Sequence, residues 1–139
     1  MGKIKQIESV QRRFTKRLPE YVTLDYKSRL LKLGIESLEL RMLRQDLVYT
    51  YKLIFGLVSQ SAGDFFKLAN SVHSSNTRGH EYKLFVNYNR VDTRKYFFAN
   101  RVINPWNSLP AEPEHFRSLS VFKVFIKRAD LTKFLTLGF

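Results

Sequence analysis

The first feature along the chain is an apolar side chain at every third or fourth position. Such spacing places the residues on one face of a helix. The row consists of Ile4, Ile7, Val10, Phe14 and Leu18. Pro19 comes directly after the row and predicts the end of the helix, because proline has no backbone N–H to donate. The pattern therefore predicts an amphipathic helix whose apolar face packs inward.

Capping signals predict two further helices. Asp25 is suited to cap a short helix that runs to Leu33, and Gly34 suits the left-handed conformation that ends it. Ser37 is suited to cap a longer helix that stops near Gly56. Along that helix, apolar side chains recur at helical spacing and form a predicted core stripe: Leu40, Leu43, Leu47, Tyr51, Ile54 and Val58.

A change to small and polar residues predicts a loop over residues 59–77, interrupted by one anchoring turn. Beyond it, residues 82–88 follow a period of two, which is typical of a β-strand. Residues 89–90 are suited to turn the chain into a second strand that begins near Val91. Because an isolated hairpin of this size is not stable, we expect it to lie on the helices.

Two helices are predicted in the last third of the chain. One covers Tyr96–Asn104 and is expected to end or kink at Pro105, so that Trp106 packs from a turn. The other begins at Ser118 or Ser120. Its inward face is predicted to consist of Leu119, Phe122, Phe125, Ile126 and Ala129.

These elements predict a mainly α fold with a small antiparallel β-hairpin (α+β). The 12 Phe, seven Tyr and one Trp residues favour an aromatic-rich core for the helices to surround. By range, we expect a helical segment at 1–58, a loop or linker at 59–77, and the hairpin with the C-terminal helices at 78–139. The three ranges are expected to pack as one compact unit.

The charge balance adds a candidate partner to this fold. Against 24 Lys and Arg stand 12 Asp and Glu, a formal net charge of +12. Such an excess predicts attraction to a polyanion, most commonly nucleic acid, that weakens as salt rises. The alternatives are that the charge only maintains solubility, or that it meets an anionic membrane surface. No apolar run reaches the roughly 18 residues of a spanning helix, so we expect no membrane insertion.

Most catalytic and metal chemistry is not expected from this composition. The chain has no cysteine, which fits a reducing nuclear or cytosolic setting and excludes thiolate metal sites and cysteine nucleophiles. Two-metal nucleotidyl transfer needs clustered carboxylates, whereas the five Asp residues are scattered over different predicted elements. The three histidines have unrelated spacings, and no phosphate-binding glycine loop is present. We therefore predict no catalytic residues, no metal, no cofactor and no small-molecule substrate.

Cations placed beside aromatic residues are the remaining candidates for binding, because they can grip phosphates while the rings stack on unpaired bases. One such group lies within residues 90–101. The alternatives are that Phe97 and Phe98 belong to the core and that a cation there pairs with Asp92 or caps a helix. The first helix carries a second group of cations opposite its apolar row, and the alternative there is an ordinary solvated face.

Three segments carry a resemblance to a known family. The first is IESVQRRFTKRLP at 7–19, continued by LGI and SLELRMLRQDLVYTYKLIFGLV up to residue 58. The second is TRGH at 77–80, and the third is KYFFANRVINPWNSLP at 95–110 followed by SLSVFKVFIKR. In this order, over nearly the whole chain, they resemble the region after the polymerase core in LINE-type (non-LTR) retrotransposon reverse transcriptases of the jockey and chicken-repeat groups. The chain departs from that pattern at Pro105.

The resemblance implies a non-catalytic C-terminal part of an RNA-directed DNA polymerase. Fingers, palm, the catalytic Asp-Asp turn and an apurinic-type endonuclease domain would lie upstream. Template RNA or target DNA would be the partners, with the polymerase core itself as a further candidate. Nuclear or cytoplasmic localisation would be expected. On this basis, phosphate contacts are predicted at Arg12, Arg13, Lys16, Arg17, Arg78, Arg94, Lys95 and Arg101.

Three alternatives stay open at this point. One is a free-standing nucleic-acid-binding module, and another is a structural segment that docks on a polymerase core. For TRGH, the local alternative is that Gly79 permits a tight turn while Arg78 bonds backbone carbonyls.

Overall fold

The computed structural model describes residues 2–68, 79–86 and 93–139, with side chains given for all of these except 86 and 93–97. It divides into two compact units. Unit 1 comprises residues 1–43 and 131–139, and unit 2 comprises residues 44–130. The ranges predicted from the sequence stay a prediction.

Unit 1 contains the first two helices and the start of the third. Helix α1 spans Lys3–Lys16, α2 spans Tyr26–Leu33 and α3 spans Leu38–Ile54. The predicted caps of α2 are confirmed, since the Asp25 side chain accepts from the Ser28 N–H at 3.1 Å and Gly34 has φ of 65°. Ser37 caps α3 as predicted, because its Oγ accepts from the Leu40 N–H at 3.2 Å.

Unit 2 contains the rest of α3 and a pair of short strands. The predicted stripe of α3 is buried at Leu47 and Tyr51. Strand β1 spans Phe66–Leu68 and strand β2 spans Leu84–Val86, and the two pair antiparallel with Lys67 opposite Phe85. The predicted strand at 82–88 is thus confirmed at its centre, but its observed partner comes from upstream. The turn predicted at 89–90 and the strand near Val91 lie outside the described residues.

Helix α4 spans Thr93–Asn107 and continues through Pro105, so the predicted end at this proline, with Trp106 in a turn, is wrong. The alternative of a kink at Pro105 stays a prediction. A proline inside a helix costs about 3 kcal/mol. Contacts of the two residues that follow offset this cost. Trp106 is 0% exposed and its Nε1 donates to the Tyr82 carbonyl at 2.8 Å. The Asn107 side chain accepts from the Leu84 N–H at 2.8 Å and donates to the Leu84 carbonyl at 2.9 Å.

Helix α5 spans Leu119–Arg128, and Ser118 caps it by accepting from the Val121 N–H at 3.2 Å. Its inward residues Phe122 and Ile126 are 0% and 1% exposed, as predicted. Phe122 belongs to a cluster of rings in contact: Tyr51, Phe55, His80, Tyr82, Trp106, Phe116 and Phe122. The mainly α fold with a small antiparallel sheet and an aromatic core is therefore confirmed.

Candidate nucleic-acid interface

The face on which α1 packs differs from the predicted one. Ile7, Val10 and Phe14 are 43%, 62% and 66% exposed, whereas Glu8 and Thr15 are 2% and 1% exposed. The prediction that the apolar row packs inward is therefore wrong at its centre. Two polar side chains on the adjacent face of the helix are buried in its place.

Glu8 is buried because its carboxylate accepts hydrogen bonds from backbone N–H groups at the start of α3. Its Oε1 accepts from the Leu38 N–H at 3.2 Å, and its Oε2 accepts from the Glu39 N–H at 2.9 Å. These are the first N–H groups of α3, which have no partner inside the helix and lie at the positive end of its dipole. The Tyr26 hydroxyl donates to the same carboxylate. Burial and this hydrogen bond raise the pKa of Tyr26 to about 12, so the hydroxyl keeps its proton.

Thr15 is buried because it meets a buried arginine of α2. Arg29 is 4% exposed, and its Nε donates to Thr15 Oγ1 at 3.1 Å. The same guanidinium donates to the carbonyls of Leu24 at 2.6 Å and Arg12 at 3.3 Å, and it lies 5.5 Å from the centre of the Tyr26 ring. Arg29 is therefore a structural cation that ties α1 to α2.

The consequence is an exposed helix surface without any acid. Glu8 is the only acidic residue of α1 and it is turned inward. The exposed cations of α1 and of its C-terminal cap, here called the α1 basic face, are Lys3, Lys5, Arg12, Arg13, Lys16 and Arg17. The four phosphate contacts predicted for this segment therefore lie together on one exposed surface. A field of one sign over such a surface attracts polyanions.

Helix stability alone does not account for these charges. Arg13 and Lys16 lie in the last turn, where cations interact favourably with the helix dipole. Lys3 and Lys5 lie in the first turn, where the dipole disfavours a cation and where no acid is present. Arg13 and Arg17 are in addition a like-charged pair four residues apart, which costs about 0.2–0.5 kcal/mol in an isolated helix. A bound polyanion would relieve both costs.

Of the α1 cations, two have a side-chain contact within unit 1. The Arg12 guanidinium lies 4.8 Å from the centre of the Tyr26 ring, and Arg13 donates to Ser9 Oγ at 3.4 Å. Both residues remain exposed. These contacts orient the two guanidinium groups without neutralising them, so their charge remains available to a ligand.

The other four predicted phosphate contacts belong to segments outside α1. In unit 2, the Arg101 Nε donates to Asp46 Oδ2 at 2.8 Å, with side-chain exposures of 43% and 18%. Burial raises the pKa of Asp46, while Arg101 opposes this shift. The backbone of Arg94 and Lys95 belongs to α4, and Arg78 lies outside the described residues. The predictions for these four residues stay predictions, and Arg101 already has an anionic partner.

His80, the last residue of TRGH, meets Trp106 in the core of unit 2. His80 Nε2 lies 2.8 Å from the Trp106 carbonyl, and His80 Nδ1 lies 3.2 Å from the Tyr82 nitrogen. Because a carbonyl only accepts and an N–H only donates, the neutral ring carries its proton on Nε2. Burial lowers the pKa of His80, although the bond to Trp106 opposes the shift. His80 and Trp106 are therefore packing residues.

The backbone of Gly79 supports the alternative that TRGH contains a tight turn, whereas the part of that alternative that concerns Arg78 lies outside the described residues. Its φ is 108°, a conformation that side chains rarely adopt, and an added Cβ would lie 2.9 Å from the Lys83 Cε. A cavity of about 530 Å³ opens beside this turn and is lined in part by His80, Glu81 and Glu112. Among the side chains that the structure describes, no group of three histidine or acidic residues is arranged to hold a metal ion.

Sequence reasoning missed the buried role of Glu8 and the exposure of Phe14. The packed row consists of Ile4, Glu8, Gln11, Thr15 and Leu18, and it follows helical spacing as well as the apolar row does. Neither row contains a cation, so the order of residues along α1 does not distinguish the two. Gln11 of this row donates to the Glu36 carbonyl at 3.0 Å and to the Tyr26 hydroxyl at 3.2 Å. Partners outside α1, rather than the residue order of the helix itself, determine the packed face.

No family model, curated protein or solved structure matches this chain. Within the described part of the chain, no helix combines the length and the apolar character needed to cross a bilayer.

Proposed function

We propose that this chain is a non-catalytic, nucleic-acid-binding segment of an RNA-directed DNA polymerase of the non-LTR retrotransposon class. The three ordered sequence segments support the family. The contact between His80 and Trp106 supports it further, because two of those segments then belong to one folded unit. The segment would hold template RNA or target DNA beside a polymerase core supplied by the rest of the protein.

The observation that carries the proposal is the α1 basic face. Its six cations are exposed on one helix whose only carboxylate is buried. Contacts between such cations and backbone phosphates release condensed counterions and supply affinity without sequence preference. Arg12, Arg13, Lys16 and Arg17 are assigned to phosphate contacts, and Lys3 and Lys5 extend the same surface.

The proposal is tested by comparing two variants of equal charge. The α1 variant carries Arg12→Gln, Arg13→Gln, Lys16→Gln and Arg17→Gln. The control variant carries Arg117→Gln, Lys123→Gln, Lys127→Gln and Arg128→Gln, all of which are exposed residues at or near α5. Each variant removes the same number of positive charges, so a difference between them reports position rather than net charge.

Binding is measured by fluorescence anisotropy with a labelled single-stranded oligonucleotide of about 15 nucleotides at fixed ionic strength. We expect the α1 variant to bind about 100-fold more weakly than the unmodified chain, and the control to change little by comparison. Equal losses in both variants would assign the attraction to overall charge and contradict the proposal. Circular dichroism confirms that each variant is folded.

A further inference from the structure

We infer that Phe14 stacks on an unpaired base, so that α1 binds single-stranded nucleic acid in preference to a duplex. The inference rests on the proposed function and adds to it a ligand class and an aromatic contact residue. Phe14 is 66% exposed and extends from the same helix as the six cations. Together with Ile7 and Val10 it forms an exposed strip of apolar side chains on α1, here called the apolar strip, and a contiguous patch of this kind indicates a binding surface.

Helical spacing places Phe14 at the edge of the α1 basic face, beside Arg17. Arg17 lies three residues after Phe14 and therefore next to it on the helix surface, and Val10 lies four residues before it. Arg13 precedes Phe14 on the side away from the packed row. A nucleotide whose phosphate contacts Arg17 would thus bring its base within reach of the Phe14 ring.

Charge complementarity selects nucleic acid among the possible occupants of this strip. A second copy of the chain would bring two α1 basic faces together, and like charges across an interface are unfavourable. An uncharged apolar groove of another protein would strip water from cations without pairing them. A strand of nucleic acid supplies phosphates for the cations and flat apolar surfaces for the ring.

The chemistry of phenylalanine selects unpaired bases. Its ring has no hydrogen-bonding group, so it cannot read the polar edges that a duplex presents in its grooves. In a duplex the faces of the bases are covered by their neighbours, whereas a single strand exposes them for stacking on aromatic side chains. Stacking of this kind tolerates any base, so we expect little sequence preference, and RNA and DNA strands are both candidates.

The test compares Phe14→Ala and Phe14→Trp with a matched control, Leu31→Ala. Leu31 is 74% exposed and lies on α2, so its removal also deletes an exposed apolar side chain. Anisotropy is measured with labelled single-stranded RNA, single-stranded DNA and duplexes of equal length. Because Phe14 is exposed, neither substitution is expected to unfold the chain, and circular dichroism with thermal melting confirms this.

We expect Phe14→Ala to weaken single-strand binding by about 5- to 100-fold and duplex binding by less than about twofold. Phe14→Trp should retain single-strand affinity, and its indole fluorescence should be quenched when the strand binds. Leu31→Ala should bind as the unmodified chain does. The salt dependence of Phe14→Ala should be unchanged, since no phosphate contact is lost.

Several results would overturn the inference while leaving the proposed function intact. One is a Phe14→Ala variant that binds single strands as tightly as the unmodified chain. Another is an equal loss of single-strand and duplex affinity. If Phe14→Ala abolished self-association or binding to anionic phospholipid vesicles without weakening nucleic-acid binding, the strip would belong to a second copy or to a membrane surface. Failure of the unmodified chain to bind any strand would instead contradict the proposed function itself.

Discussion

At the scale of single residues, the buried polar groups of α1 determine which of its surfaces meets solvent. Glu8 accepts three hydrogen bonds, two of them from the first N–H groups of α3. A buried carboxylate is stable when hydrogen-bond donors surround it. If the carboxylate were removed, the same donors would have no acceptor. The exposure of Phe14 is thus a consequence of contacts that Glu8 makes on a different face of the helix.

Replacement of Glu8 should therefore destabilise unit 1. In Glu8→Ala, two buried N–H groups and the Tyr26 hydroxyl lose their acceptor, and we expect the free energy of unfolding to fall by about 2–4 kcal/mol. Glu8→Gln keeps an acceptor oxygen, so its free energy of unfolding should lie between those of Glu8→Ala and the unmodified chain. Denaturant unfolding measures both variants. Glu20→Ala, at an exposed acid, serves as the control and should change stability by less than about 0.5 kcal/mol. A loss no larger at Glu8 than at Glu20 would contradict the role of the carboxylate.

At the scale of elements, the helix ends that a capping residue marks were predictable from sequence, whereas helix faces and strand partners were predicted less well. Asp25, Gly34, Ser37 and Ser118 act within a few residues of their own position, so local sequence determines them. The packed face of α1 depends on Tyr26, Arg29 and the start of α3, which lie more than ten residues away. The continuation of α4 through Pro105 likewise depends on contacts that its own sequence does not contain.

Asn107 is the residue of α4 whose contribution is easiest to measure. Its side-chain amide accepts from the Leu84 N–H and donates to the Leu84 carbonyl, as a neighbouring strand would. Asn107→Ala removes both bonds, and we expect a loss of about 2 kcal/mol in the free energy of unfolding. Asn104→Ala, at an exposed position of the same helix, is the control and should be neutral or slightly stabilising. Equal behaviour of the two variants would show that the amide contributes nothing.

At the scale of the whole molecule, the net charge of +12 predicted a polyanionic partner but not where it binds. Composition gives no positions, and the eight predicted phosphate contacts came from two stretches of sequence and from a family resemblance. The structure distinguishes them by their surroundings. Four lie on the α1 basic face, Arg101 is paired with Asp46, and the side chains of the remaining three are not described.

The salt dependence of nucleic-acid affinity tests whether the α1 basic face contacts backbone phosphates, because its slope counts the phosphates that the protein neutralises. Binding of a single strand is measured from low to moderate salt for the unmodified chain and for the α1 variant defined above. Each lost phosphate contact should reduce the slope of log affinity against log salt by about 0.7, so four lost contacts should reduce it by about three. We expect that reduction for the α1 variant. An unchanged slope would show that its four replaced cations contact no phosphates.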